Sequence, residues 1–470
     1  MSDPIPQRVH LVGIGGMHMS AIARILMARG HAVSGSDLRR TPLTDEIEKL
    51  GATVHIGAHD AAYIGDAEFV VTTSAATADN PELNEARRRG LPLIKRADMV
   101  ARLMEGKIGI GVAGCHGKST TSGLIAYMLA ASDRDPTYLI GAEVAALGTN
   151  AAPGPGPHVV VEADEYDRAF LSYHPDFALV TNVEPDHLDY YKTWEAVKEA
   201  FQGFVGNVPD GGCVILCADN AEAMALRRYA AGGVDVVTYG FDTQADWRAT
   251  SVAVQGSRQS FDVQRGQEHF GRFEIALPMR HNVQNALGAI VIVYRLGLSV
   301  EEIKAALAGY GGVRRRFEKV GEAAGVLVYD DYAHHPTEIA DTAKGAKEAF
   351  PGRRIVALFQ PHTYARTRYL LDGFRTCFRD FDRLFLLETY AAREAIADGM
   401  TAAQLAPEIT SPLPTYCATF AEAAAVVAGE LRAGDVFFTI GAGDVDSVGP
   451  MVLEKLRRRE AASTGPEGVS

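Results

Sequence analysis

The 470-residue chain carries a formal charge of −13 and is 47% apolar; it is too long for one hydrophobic core and suits three domains of about 150 residues each. The negative balance disfavours non-specific binding to nucleic acid or to an anionic membrane, while leaving room for a local basic site. No apolar run approaches the roughly 18 residues of a membrane span, and MSDPIPQRVHLVGIGG lacks the basic-then-apolar pattern of a secretion signal, so no membrane insertion is expected. The five cysteines, Cys115, Cys213, Cys217, Cys377 and Cys417, show no metal-ligand spacing, and Cys213 and Cys217 bracket the apolar run CVILC, which reads as core. That pattern implies a reducing compartment, with the cytoplasm as the default.

In chain order, a short apolar strand over Val9–Val12 leads into GIGGMHMSAIARILMARG, a glycine turn followed by an amphipathic helix, and HAVSGSD forms a second strand closing on Asp37. EFVVTTSAA (strand into loop), PELNEARRRG (helix) and LPLIKR (strand) continue the alternation to about Gly106. A second strand–glycine-loop–helix unit starts at KIGIGVAGCHGKSTTSGLIAYMLAA; its strands HVVVEADE and FALVTNVEP are near-continuous apolar runs, as strands buried on both faces require. The stretch 245–280 alternates apolar and polar residues and predicts antiparallel strands added to that sheet; the helix HNVQNALGAIVIVYRLG precedes a boundary near Gly312. GVLVYDDYAHHPTEI, RRIVALFQPHTYART, DRLFLLETY and DVFFTIGAGDV repeat the α/β rhythm. Strands alternating with helices across short loops make parallel doubly wound sheets. The expected fold is α/β in three consecutive domains, 1–106, 107–312 and 313–455, the outer two Rossmann-like and the middle one P-loop-type. The residues 456–470, including REAASTGPEGVS, have too little apolar surface to be expected to stay ordered.

Three clusters carry chemistry. GCHGKSTT, Gly114 to Thr121, lies between a strand and a helix. Glycines let backbone N–H groups approach phosphate oxygens and the helix N-terminus favours negative charge. Lys118 offers a point charge to the outer phosphates, and Ser119 or Thr120 an oxygen to Mg²⁺. Strict P-loop spacing would need glycine at Val112, so this is a shorter relative of that loop. In VEADEYDRAFL an apolar strand ends in Glu162, Asp164, Glu165 and Asp167; a carboxylate at a strand end beside a phosphate loop stands where a Mg²⁺ ligand is needed, and Glu162 is the best placed. In TNVEPDHLDYY, His187 beside Asp186 could bind a second metal or orient a phosphate. A solvated acidic loop and a structural histidine are the ordinary readings of the last two clusters.

GIGGMHMS, GCHGKSTT, EADEYDRAFL, TNVEPDHLDYY, HNVQNALGAI, GVRRRFE, YDDYAHHPTEI, FQPHTYART and TIGAGDV occur in an order that closely resembles the Mur ligase family, over residues 8–448. GIGGxxMS, DDYAHHPTEI and FQPHTYART together resemble the branch that joins L-alanine to UDP-N-acetylmuramate. The resemblance implies a UDP-binding domain, a central ATPase domain and a C-terminal domain for amino acid and adenosine. It implies ATP and Mg²⁺ as cofactors, UDP-N-acetylmuramate and L-alanine as substrates, an acyl-phosphate intermediate, and a monomer or homodimer without nucleic-acid partners. ATP would meet Gly114, Cys115, His116, Gly117, Lys118, Ser119 and Thr120, then His281 and Asn282 on the adenine side and Arg316 and Asp331 where the last domain closes. Ser119, Glu162 and His187 would hold metal. Gly13, Gly15, Gly16, Ser20 and Asp37, with the Ser74, Asn80 and Arg96 regions, would receive the UDP moiety. Lys118, Glu162, His187, His334 and Arg366 would serve catalysis, Arg366 gripping the alanine carboxylate through a two-pronged hydrogen bond.

Cys115 stands where the family usually has threonine, His18 where it has glycine, and Thr363 where many members carry arginine. Several members also have a lysine, downstream of the DHLD histidine, that carbon dioxide converts to a carbamate; aligned without a gap, Phe201 falls at that position, and the nearest lysine is Lys198. A murein tripeptide ligase shares EADEYD and is the nearest rival. A nicotinamide-dependent oxidoreductase would use the first glycine turn with Asp37 on a ribose, but it leaves GCHGKSTT unexplained. A non-catalytic nucleotide switch would not need the Lys118–Ser119–Glu162–His187 set. A zinc site in DDYAHH lacks a second matching spacing.

Overall fold

The computed structural model describes residues 4–256, 258–392, 394 and 399–463. They form three α/β units, each on its own sheet. The first sheet is wholly parallel, in the order Thr53–Ile56, Ala32–Asp37, Arg8–Val12, Phe69–Thr72, Leu93–Lys95. Val9 to Val12 are buried because helices cover both faces. The strand order reverses beside Arg8–Val12, and the crevice at such a switch point is where an open α/β sheet takes its ligand. The turn leaving that strand opens the helix Met17–Ala28, which buries Met19, Ile22, Ile25 and Leu26 at helical spacing.

Ten strands make the middle sheet. Its centre is Ile108–Ala113, parallel to His158–Glu162 on one side and to Phe177–Val180 on the other. The carboxyl ends of these three strands bring residues 114–117, 162–167 and 181–187 to one rim. At the far edge, Trp247–Gln255, Arg258–Arg265 and Glu268–Ile275 pair antiparallel with one another, as their alternation predicts. Trp247–Gln255, however, joins the sheet parallel to Asp235–Gly240 through a short register. The pattern of alternating residues sets which face is buried, not the direction of the neighbour.

The third sheet runs Glu318–Ala323, Val326–Asp331, Val436–Ile440, Ile355–Phe359, Arg383–Leu387, Thr415–Cys417, antiparallel only at its first pair. The expectation of a disordered tail from 456 is corrected in part: the helix Val448–Ser463 continues into it as far as Ser463, with Leu456 fully buried. Val452, Leu453 and Leu456 make an apolar stripe that the RRREAAS composition concealed. Residues 464–470 lie outside the described residues.

The units are tied together. Arg24 on the helix Met17–Ala28 donates to Thr149 Oγ1 at 3.0 Å and Asn150 Nδ2 to the Met17 carbonyl at 3.3 Å, joining the first unit to the middle one. Met279, in the left-handed region at φ 73°, enters the core of the third unit with Phe317, Ala343 and Ala346. Its partner must be glycine, since a Cβ on Gly345 would lie 2.1 Å from Met279 Cγ. Among the described residues no helix is long and apolar enough to cross a membrane, and all five cysteines are buried and unpaired.

Candidate active site

The loop after Ile108–Ala113 needs its glycines. Gly114 has φ 139° and Gly117 φ 83°, and Cβ atoms there would lie 2.0 Å from Thr181 Oγ1 and 2.5 Å from Asn285 Oδ1. Gly117 is the N-cap of the helix Lys118–Ala131, so the helix begins on a residue that contributes no side chain to block its amides. Lys118 Nζ donates to the Gly114 carbonyl at 2.6 Å and lies 2.8 Å from Glu165 Oε2. Burial alone would lower its pKa, but Glu165, Glu162 and Asp164 outweigh that and hold the ammonium charged.

Glu162 accepts the Gly141 N–H at 2.7 Å and a hydrogen bond from the Ser119 hydroxyl; burial raises its pKa against the pull of Lys118. His187 stands apart from that pair, with Glu165 and Asp186, and donor atoms of these three lie within 4.8 Å of one another. His187 Nε2 is 3.4 Å from Glu165 Oε1 and 3.6 Å from Asp186 Oδ2. Although burial would lower it, Glu165 and Asp186 raise the His187 pKa. The rim thus offers two places for a hard cation, one at Ser119 and Glu162 and one at Glu165, Asp186 and His187. Sequence reasoning singled out Glu162 among four acids and named Glu165 and Asp186 without giving either a ligand role. The signal was present in EADEYD and EPDH, but which acid faces the loop is set by a turn in which Asp167 and Arg168 adopt left-handed backbone.

A cavity of about 230 Å³ opens beside the loop. His116, Gly117, Ser119 and Thr120 line one wall; His281 and Asn282 line another, and Arg316 and Asp331 come from the third unit. Asn282, 6% exposed, donates to the Pro278 carbonyl at 2.6 Å and accepts from Asn285 at 3.2 Å, so it is part of a fixed amide network at the start of the helix Arg280–Arg295. Asp331 accepts the backbone N–H groups of Phe317 and Ala333 at 3.0 and 2.9 Å, and burial pushes its pKa up to about 6 in spite of Arg316. Cys115 packs into the loop, its thiol donating to the Glu184 carbonyl at 3.3 Å; burial raises its pKa well above the usual thiol range, so it is a packing residue and no nucleophile.

On the other side of His187, Arg366 Nη2 donates to Asp186 Oδ1 at 3.4 Å and to His187 Nδ1 at 3.3 Å. Thr363, with φ 52°, directly precedes the short helix Tyr364–Tyr369 that carries Arg366. His334 Nδ1 lies 3.1 Å from the Tyr332 carbonyl, which makes Nδ1 the protonated nitrogen and leaves Nε2 to accept. Burial pushes the His334 pKa down to about 3, so the ring is neutral. His362, unremarked in the sequence reading, stacks on Tyr390 at 5.4 Å and accepts from Arg366 at 3.4 Å. His116, Glu184 and His335 also come within ligand reach of one another, but both His116 nitrogens face carboxylates, Glu338 at 3.1 Å and Glu184 at 3.3 Å, which makes an ion-pair cluster.

In the first unit Gly13 has φ 82°, and Gly15 admits no Cβ because Thr44 Cγ2 and Asp37 Oδ2 would lie 2.8 and 2.9 Å away. The Gly16 N–H turns back to the Gly13 carbonyl at 3.1 Å. Asp37 accepts the Gly15 N–H at 2.9 Å, the carboxylate that a nicotinamide site would aim at a ribose being engaged by the turn itself. Ser20 is buried with its hydroxyl on the Met17 carbonyl at 3.0 Å. Ser74 is exposed on the loop after Phe69–Thr72, while Asn80 is a helix cap bonded to the Glu82 and Leu83 amides. Arg96, 9% exposed, pairs with Asp164 at 3.2 Å and so bridges the first unit to the acidic loop of the middle one. His18 lies near both, and burial pushes its pKa down to about 4.

Family models match almost end to end: the Mur ligase family catalytic domain over residues 8–108, the Mur ligase middle domain over 112–293 and the Mur ligase glutamate ligase domain over 315–443. The chain belongs to the Mur ligase family. This Mur ligase is 45% identical to the UDP-N-acetylmuramate–L-alanine ligase of Anaeromyxobacter sp. (strain Fw109-5) over 95% of its own length and 97% of the relative's. It is 43% identical to the enzyme of the same name from Salinibacter ruber, over 93% of each chain. Its fold is similar to that of the crystallised UDP-N-acetylmuramate–alanine ligase of Thermotoga maritima, with a TM-score of 0.81 at 27% identity over 97% and 99% of the two chains. A murein peptide ligase from Psychrobacter arcticus gives 0.73 at 25% identity over 96% and 99%.

Proposed function

We propose that this Mur ligase joins L-alanine to the carboxylate of UDP-N-acetylmuramate, with cleavage of ATP to ADP and phosphate, a step of peptidoglycan precursor synthesis. The observation that carries the reading is the convergence of three strand ends on the rim that holds Lys118, through Glu165 and His187, with Arg366 and His334 of the third unit across the same rim. Full-length similarity to alanine ligases at 45% identity favours L-alanine over the tripeptide of the murein peptide ligases. On this reading the first unit (1–106) takes the UDP moiety at the Gly13–Gly16 turn, the middle unit (107–312) takes ATP, and the third (313–455) takes the amino acid and part of the adenosine.

The muramyl carboxylate oxygen attacks the γ-phosphorus of ATP, the bond to the bridging oxygen breaks, and ADP leaves behind an acyl phosphate. Transfer between two anions needs cations and N–H donors arranged in advance. Lys118 supplies the charge and the amides of Gly117, Lys118 and Ser119, at the start of the helix, the donors. Ser119 with Glu162, and Glu165 with Asp186 and His187, are the donor sets for Mg²⁺, which when bound would offset the phosphate charge; their oxygen-rich chemistry suits it. Arg366 holds the α-carboxylate of alanine, and the unprotonated Nε2 of His334 orients the amine. The amine nitrogen attacks the acyl carbon, the tetrahedral adduct collapses as the C–O bond breaks, and the proton lost from nitrogen leaves with the phosphate as the amide forms.

Phosphate release with UDP-N-acetylmuramate and a panel of amino acids is the test. L-Alanine is expected to be preferred over acidic and diamino acids, and Arg366→Ala to raise the alanine KM at least about tenfold, the weight of a charge-assisted hydrogen bond, while sparing ATP binding. An enzyme that ligates a tripeptide and ignores L-alanine contradicts the reading.

A further inference from the structure

His116 sits inside the phosphate loop, and the backbone around it is fixed. Its N–H donates to Asn182 Oδ1 at 2.9 Å, and its carbonyl accepts from Thr181 Oγ1 at 2.5 Å and Asn182 Nδ2 at 3.0 Å. Its imidazole reaches the third unit, with Nδ1 3.1 Å from Glu338 Oε1. Glu338 occupies the first turn of the helix Pro336–Ala349 and is nearly buried. Its other oxygen accepts the backbone N–H groups of His334 and His335 at 3.0 and 3.2 Å, and Arg316 Nη1 adds a third direction at 3.3 Å. One carboxylate therefore holds the loop carrying His334 by its backbone and, with its second oxygen, grips a cation in the phosphate loop.

We propose that Glu338 is a positioning residue for the ligation step: through its pairing with His116 it sets the His334 loop in register with the phosphate loop, so that the amine arrives where the acyl phosphate forms. The claim rests on the ligation reading and adds residues to it. Helix capping alone does not account for the arrangement. A cap needs an acceptor for backbone N–H groups, whereas here two cations from different parts of the chain converge on the same side chain. The nearby contacts between the units, Arg366 with Asp186 at 3.4 Å and Thr337 with Glu184 at 3.5 Å, lie on the same seam.

The two roles separate in Glu338→Gln. Glutamine keeps a carbonyl to cap the helix but turns an N–H donor toward His116 and Arg316. A capping role predicts kinetics close to wild type. The positioning role predicts an alanine KM raised at least about tenfold, the usual weight of a charge-assisted hydrogen bond, with the affinity for a non-hydrolysable ATP analogue altered by less than about threefold, because Arg316 keeps its charge and its place on the cavity wall. His116→Gln, made from the other unit, should reproduce the alanine defect, and the double variant should be no worse than the poorer single one, as coupled partners require. A wild-type alanine KM in Glu338→Gln, or defects that multiply in the double variant, overturns the proposal. If the wild-type enzyme shows no alanine-dependent phosphate release, it is the ligation reading that fails. The pair is then judged by small-angle scattering without ligand: wild type should keep the seam closed and Glu338→Gln should show a larger radius of gyration, and equal radii would overturn the pairing.

Discussion

The molecule contains two strand–glycine-turn–helix corners that look alike in sequence and differ in chemistry. At Gly13–Gly16 the turn is closed on itself: the Gly15 amide is held by Asp37, the Gly16 amide by Gly13, and no cation lies within the turn's own sequence. At Gly114–Gly117 the Cys115 and His116 amides are held by Asn182 on a neighbouring strand end, and the next residue, Lys118, is ringed by Glu162, Asp164 and Glu165 from another. Glycine makes both corners sterically possible. What makes only one of them a phosphoryl-transfer site is what the neighbouring strands deliver to its mouth.

The sharpest way to break this contrast is Lys118→Ala. It should remove at least about 3 kcal/mol of transition-state stabilisation, comparable to losing one preorganised donor, while UDP-N-acetylmuramate still binds the first unit. A folded variant keeping more than about a tenth of the wild-type rate, well under that loss, would mean that the loop does not meet the transferring phosphoryl group. The mirror experiment is Gly15→Ala. Its Cβ would crowd Thr44 and Asp37 at 2.8 and 2.9 Å, so the KM for UDP-N-acetylmuramate should rise by about tenfold, a typical overpacking penalty, with ATP affinity unchanged. A variant that weakens ATP and spares the UDP substrate would reverse the assignment of the two corners. The smallest effect expected is that of Lys198→Ala. Phe201, where an ungapped alignment puts the family's carbamate lysine, is fully buried against Phe170, and Lys198 lies 3.7 Å from Glu195 and over the Trp194 ring. Activity should stay within about twofold, as for loss of an exposed ion pair, and stripping bicarbonate should change nothing. Loss of activity rescued by a short carboxylic acid would show that a carbamate does serve the middle site.

Much of this was legible in the sequence because strands buried on both faces are near-continuous apolar runs: VHLV, IGIGVA, HVVVE and FALV announce their strands, and the glycines after the first two announce turns. Lys118 was legible because its position follows from the loop's own spacing. Glu165, Asp186, His362 and Glu338 were not, because their roles depend on which loops from distant strands meet, and on backbone that turns left-handed at Asp167, Arg168 and His187. The helix extending to Ser463 escaped notice because its apolar stripe is sparse among charges. The parallel entry of Trp247–Gln255 left no mark in a pattern that reports only which face is buried.

The central claim is that a muramyl carboxylate is phosphorylated by ATP and then attacked by an amine. UDP-N-acetylmuramate labelled with ¹⁸O in its carboxylate, incubated with ATP, L-alanine and the enzyme, tests it in one measurement of the released phosphate. Because the acyl C–O bond breaks when the amide forms, the phosphate should carry one labelled oxygen for each alanine joined. Unlabelled phosphate, its fourth oxygen drawn from water, would show that ATP is hydrolysed without activating the carboxylate and would contradict the account.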